Sequence, residues 1–85
     1  MAPVILYSQA GCPSCAAAKQ YLAAQGVSYQ EKDIRSDPEI LRELVEDLKS
    51  RTTPTLVVGE NVVIGFDPDK FLDAIGSRGS EGKQP

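Results

Sequence analysis

Histidine and tryptophan are missing from this 85-residue sequence, and cysteine occurs only as Cys12 and Cys15. With no histidine and no third cysteine, one chain cannot supply the usual four ligands of a zinc site, which would need a symmetric dimer to bring two cysteine pairs together. Long apolar runs are also lacking. None approaches the roughly 20 residues that span a bilayer. Met1-Ala2-Pro3 passes straight into a short apolar stretch without the pattern of a signal peptide. The expectation is a cytoplasmic protein without a membrane partner. Positive charge is scarce as well: nine Lys and Arg against twelve Asp and Glu leave a net charge of −3. No basic stripe with interleaved aromatics is present, which argues against nucleic acid. What remains, 41% hydrophobic and 25% charged, is the ordinary composition of one domain with a single modest core.

Both cysteines lie in Gly11-Cys12-Pro13-Ser14-Cys15, between the apolar run Val4 to Tyr7 and an alanine-rich helical run from Ala16. A thiol is a useful nucleophile only as thiolate, and the free N–H groups and positive dipole end of a helix's first turn stabilise that anion. Cys12 at the N-cap and Pro13 at the first helical position suit such a start. Surroundings of this kind bring a cysteine from about 8.5 down to roughly 3.5–7.5. Cys15, one turn further in, is expected to be more buried and to keep its proton, so Cys12 attacks and Cys15 resolves. A purely structural disulfide across so short a loop removes little entropy from the unfolded chain. Two inert cysteines remain possible but leave the geometry unused.

Val4-Ile5-Leu6-Tyr7 reads as a strand buried on both faces at a central position in a covered sheet. The next helix carries Ala17 with Tyr21 and Ala18 with Leu22 at i, i+4, and stops at Gly26. Val27 to Ile34, polar in its middle, reads as a strand nearer an edge. Asp37 as N-cap with Pro38 at the first position, or Ser36 and Glu39 as a capping box, opens a second helix whose apolar positions are Ile40, Leu41, Leu44, Val45 and Leu48. Leu56-Val57-Val58 and Val62-Val63-Ile64, joined through Gly59-Glu60-Asn61, make a β-hairpin. Asp67-Pro68 opens a last helix with Phe71, Leu72 and Ile75 inward, ending before Gly76. The expected domain is 1–76, and the glycine-rich polar tail 77–85 is expected to be disordered.

The order β-α-β-α-β-β-α, with C-P-x-C at the first helix start and Arg51-Thr52-Thr53-Pro54 before the hairpin, resembles the glutaredoxin family of the thioredoxin superfamily. The resemblance also covers the Gly59 turn and Ile64-Gly65-Phe66-Asp67. It implies an α/β thioredoxin-like fold, a four-stranded mixed sheet flanked by three helices. It further implies that Pro54 is cis and lies against the active-site sulfurs, with the Thr53 backbone pairing with a substrate peptide or glutathione and Pro13 and Ser14 supporting the site. On the residues alone, Pro54 merely starting an edge strand stays open. Family members that use glutathione carry a lysine where this chain has Gln9, a tyrosine where it has Ser14, and Gly-Gly where it has Gly65-Phe66. Gln9, Thr53, Gly65, Phe66 and Asp67 are the candidate glutathione or substrate contacts, and the departures put glutathione binding in question. Gly65-Phe66-Asp67-Pro68-Asp69 is more similar to the glutaredoxin-like redoxins that supply ribonucleotide reductase and are reduced by thioredoxin reductase, which usually carry a basic residue at Asp67.

The implied function is that of a small dithiol–disulfide oxidoreductase, a monomer that reduces protein or mixed disulfides through Cys12 and Cys15. No tightly bound cofactor and no metal are expected. Electrons come from glutathione, or from NADPH through a separate thioredoxin reductase. The alternative is a metal or iron–sulfur carrier assembled as a dimer through Cys12, with glutathione completing the ligands.

Overall fold

A computed structural model describes residues 3–79. The elements run β1 (Val4–Ser8), α1 (Pro13–Ala24), β2 (Gln30–Asp33), α2 (Pro38–Arg42) continuing into a π-helical turn (Glu43–Asp47), β3 (Thr55–Val58), β4 (Asn61–Ile64) and α3 (Pro68–Gly79). Among the described residues the strands form one four-stranded sheet in the order β2-β1-β3-β4. β1 is parallel to β2 and antiparallel to β3, and β3 is antiparallel to β4, so the sheet is mixed and β1 is central. The family resemblance implied this architecture.

Strand alternation sorts the side chains onto two faces. Val4 and Leu6 of β1, Leu56 and Val58 of β3 and Val63 of β4 join Ala18 and Leu22 of α1 and Phe71, Ala74 and Ile75 of α3 in one buried cluster. Ile5 and Tyr7 face the other way, where the Tyr7 hydroxyl donates to Glu43 Oε1 at 3.0 Å. The α2 segment is thereby tied to the opposite face. Tyr21, Phe66 and Phe71 close the α1–α3 side with edge-to-face contacts, ring centroids 5.2–6.2 Å apart, a favoured geometry for aromatic rings.

Each helix start follows from its local sequence. Asp37 is the N-cap of α2, its carboxylate accepting from Glu39 N at 2.9 Å, with Pro38 at the first position. Asp67 serves α3 in the same way, accepting from Lys70 N at 3.3 Å. At the end of α1, Gly26 has φ +70, with Gly26 N–H donating to Ala23 O and Val27 N–H to Leu22 O, both at 3.0 Å. That pair of bonds is the Schellman helix stop, with glycine supplying the left-handed residue.

Several boundaries differ from the sequence expectations. The strand expected over Val27 to Ile34 is shorter, Gln30–Asp33, because Val27 is used in the α1 stop and the core. The hairpin turn is Gly59-Glu60 alone, since Asn61 already pairs with Val58. Leu72 is 49% exposed and Ala74 takes its inward place. At about 100° per residue Phe71, Ala74 and Ile75 fall on one arc and Leu72 outside it. Leu41 is likewise 44% exposed. The helix that holds it widens to an i→i+5 turn, Leu48 N–H bonding to Glu43 O at 3.0 Å, which breaks the constant period that grouped Leu41 with Leu44 and Leu48. Gly76 does not end α3, which continues to Gly79; a single glycine weakens a helix by about 1 kcal/mol without terminating it. Of the tail expected to be disordered, residues 80–85 lie outside the described residues.

Candidate active site

Central β1 runs toward Gln9 and Ala10, and Gly11, at φ +76, turns the chain into α1. Cys12 is the N-cap of that helix, in extended conformation at φ −104 and ψ 107, with Pro13 at the first helical position. Its sulfur accepts a hydrogen bond from Cys15 N at 3.1 Å. The first turn of α1 carries no acidic side chain to oppose negative charge at this point. Cys12 and Cys15 form a disulfide, with Cα atoms 5.2 Å apart. Cys12 is half-buried and Cys15 is 1% exposed, so the outer sulfur alone is open to a large substrate.

The second wall is the loop before β3. The Thr53–Pro54 peptide is cis, as the resemblance implied, and Pro54 is fully buried. Thr53 meets the outer sulfur twice: its carbonyl oxygen lies 3.7 Å from Cys12 Sγ, and its hydroxyl donates to the same atom at 3.7 Å. The Ser14 hydroxyl is a third polar neighbour of Cys12 Sγ at 3.7 Å. Gly65, at φ +82, donates its N–H to Pro54 O at 2.8 Å, so the end of β4 braces the loop.

The remaining sequence candidates separate into two groups. Gln9 stands at the site, its Nε2 donating to Thr53 Oγ1 at 3.2 Å. Phe66 instead packs edge-on against Tyr21 and Phe71, and Asp67 caps α3. Sequence reasoning missed Ser50 and Thr55. Both are buried, their hydroxyls lie 2.8 Å apart, and Thr55 Oγ1 donates to Thr52 O at 2.7 Å, holding the turn that delivers Thr53. Nothing in a sequence pattern marks two isolated hydroxyls as partners.

Two charged clusters flank the β1 end. Ser8 Oγ donates to Glu31 Oε2 at 2.6 Å and Lys19 Nζ reaches the same oxygen at 2.9 Å. The Ser8 hydroxyl first, then Lys19, holds the Glu31 carboxyl below its ordinary value. Across the sheet, the Tyr7 hydroxyl and Lys32, at 3.0 and 3.3 Å, hold Glu43 down in the same way. Burial, and then the Glu43 contact, push the Tyr7 phenol up.

Comparisons with known proteins agree with this geometry. The family model for glutaredoxin matches residues 4–63. The chain is 40% identical over 76 residues to a glutaredoxin of Pseudomonas aeruginosa, covering 89% of this chain and 90% of that protein. It is 33% identical over 76 residues to glutaredoxin 3 of Escherichia coli K12, covering 89% and 92%. Among solved structures, the thioredoxin-like protein BC3987 superposes with a TM-score of 0.80 at 34% identity, over 84% of this chain and 97% of that one.

Proposed function

We propose, from the premise that this chain belongs to the glutaredoxin family and is a thiol–disulfide oxidoreductase, that it reduces protein or mixed disulfides with Cys12 as nucleophile and Cys15 as resolving thiol. The observation that carries this reading is the position of Cys12 Sγ, at a helix N-cap on the Cys15 N–H at 3.1 Å, beside a nearly inaccessible partner. In the reduced protein the N-terminal amides and helix dipole favour Cys12 as thiolate. The thiolate attacks one sulfur of the substrate disulfide, forming a Cys12–substrate disulfide and releasing the other sulfur as a thiolate that takes up a proton. Cys15 then loses its proton and attacks Cys12 Sγ, and the second substrate thiol leaves. Two electrons pass to the substrate, and the chain ends in the disulfide form.

Thr53 and the cis-Pro54 turn support the site by presenting backbone beside the sulfur. Gln9, Phe66 and Asp67 each have a partner within the chain. That argues against their serving as a ready-made glutathione cradle. Two thiols of glutathione, or a flavoprotein reductase using NADPH, reset the disulfide. Recovery of the two thiols with each donor, offered separately, identifies which one serves. We place the reaction in the reducing cytoplasm, where a close cysteine pair is more useful in catalysis than in structure.

The test is a pair of variants in an insulin or mixed-disulfide reduction assay. Cys12→Ser is expected to abolish turnover, and Cys15→Ser to accumulate covalent substrate adducts on Cys12. Turnover surviving in Cys12→Ser overturns the assignment.

A further inference from the structure

We infer that Gln9 is a positioning residue that sets the reactivity of Cys12 through the hydroxyl of Thr53. This rests on the reading of Cys12 as nucleophile. Three atoms form a directed chain: Gln9 Nε2–H donates to Thr53 Oγ1 at 3.2 Å, and Thr53 Oγ1–H donates to Cys12 Sγ at 3.7 Å. A threonine hydroxyl has one proton and can accept as well. When the amide of Gln9 occupies the acceptor side, the single proton is left for the sulfur. The first hydrogen bond polarises the second, because linked donors and acceptors in a low-dielectric setting strengthen one another. Thr53 is 7% exposed, so water competes poorly for its hydroxyl.

In the disulfide form the hydroxyl meets a neutral, weak acceptor. Reduction makes the same sulfur an anion, and a hydrogen bond to the charged form lowers its pKa. The device therefore acts on the reduced protein, adding to the Cys15 N–H and the helix end. It also gives Gln9 a task different from holding the carboxylate of a ligand. Its side chain spans from the loop after β1 to the loop before β3, two segments 44 residues apart that meet only in the folded chain.

The experiment is the pH dependence of iodoacetamide alkylation of Cys12 in the fully reduced protein, with the modified residue identified by peptide mass. Four variants are compared with the parent: Thr53→Val, Thr53→Ser, Gln9→Leu and the double variant Gln9→Leu/Thr53→Val. Thr53→Val is expected to raise the Cys12 titration midpoint by about half a unit to one unit, and Thr53→Ser, which keeps the hydroxyl, to restore it. Gln9→Leu is expected to raise the midpoint in the parent and to leave it unchanged in the Thr53→Val background, a non-additivity that reports direct coupling. A shift of the same size in both backgrounds, or none in either, overturns the inference. A parent midpoint as high as free cysteine would instead overturn the proposed activation of Cys12, so the two failures are distinct.

Discussion

Ser50 and Thr55 show how much of a redox site is held by residues that never touch the sulfur. Their buried hydroxyls pair at 2.8 Å, and Ser50 Oγ and Thr55 Oγ1 both reach Thr52 O, at 3.1 and 2.7 Å. The turn before cis-Pro54 therefore has its carbonyl satisfied inside the protein, and Thr53 arrives at Cys12 in one orientation. Removing the Thr55 hydroxyl takes the 2.7 Å bond from Thr52 O and leaves the 3.1 Å Ser50 contact there, and losing a buried hydrogen bond costs about 1 kcal/mol. Thr55→Val, close to isosteric, is expected to lower the unfolding free energy measured in urea by about that amount and the midpoint with it, while Thr55→Ser keeps most of the stability. Equal midpoints for the parent and Thr55→Val would show that the network holds nothing.

At the scale of elements, proline begins all three described helices, after Cys12, Asp37 and Asp67. Asp37 and Asp67 place carboxylates on free N–H groups, the usual stabilising arrangement for a helix start. Cys12 places a sulfur there, and so the first helix start is the one that carries the redox cysteine pair. Asp37→Ala is expected to cost about 1 kcal/mol of folding free energy, measured by denaturant unfolding, with the disulfide-reduction rate unchanged because the Asp37 carboxylate bonds Glu39 N and none of the groups around Cys12 Sγ. The wide turn over Glu43–Asp47 follows the same helix and carries Glu43 to Tyr7 and Lys32. Its end is closed by Lys49 at φ +58 and a Ser50 N–H to Leu44 O bond of 2.9 Å. The helix stop thus hands the chain directly to the Ser50–Thr55 turn.

At the scale of the molecule, two carboxylates tie the layers to the sheet. Glu31 joins β2 to β1 through Ser8 and to α1 through Lys19, and Glu43 joins the wide turn after α2 to β1 through Tyr7 and to β2 through Lys32. Both carboxyls are held below the ordinary glutamate value of 4.5. A depressed carboxyl binds fewer protons in the folded state than in the unfolded one, so its contribution is present above about 4.5 and fades as pH falls through the folded value. The melting temperature is expected to be level between pH 6 and 8 and to decline below about 4.5, and Glu31→Gln is expected to flatten that decline. An acid limb unchanged in Glu31→Gln would assign the loss to other carboxylates. Both pairs are partly exposed, 38–39% on the Lys19–Glu31 side chains, so solvent screening keeps each effect modest.

Local chemistry by itself determined where the helices start, that the Val4 run is the central strand, that the two valine-rich runs are a hairpin, and that Cys12 stands at a helix cap. Each depends on neighbours within a turn or two, where glycine, proline and aspartate act on their own backbone. Only the tertiary structure decided that Gln9 holds Thr53, that Ser50 and Thr55 lock the cis-proline turn, that Phe66 belongs to an aromatic cluster, and that Leu41 and Leu72 face outward. Those outcomes depend on pairs remote in sequence and on the phase of helices against the sheet. Short-range periodicity narrows which residues of a helix can face inward, but not which remote pairs meet, because such contacts exist only once the chain has closed on itself.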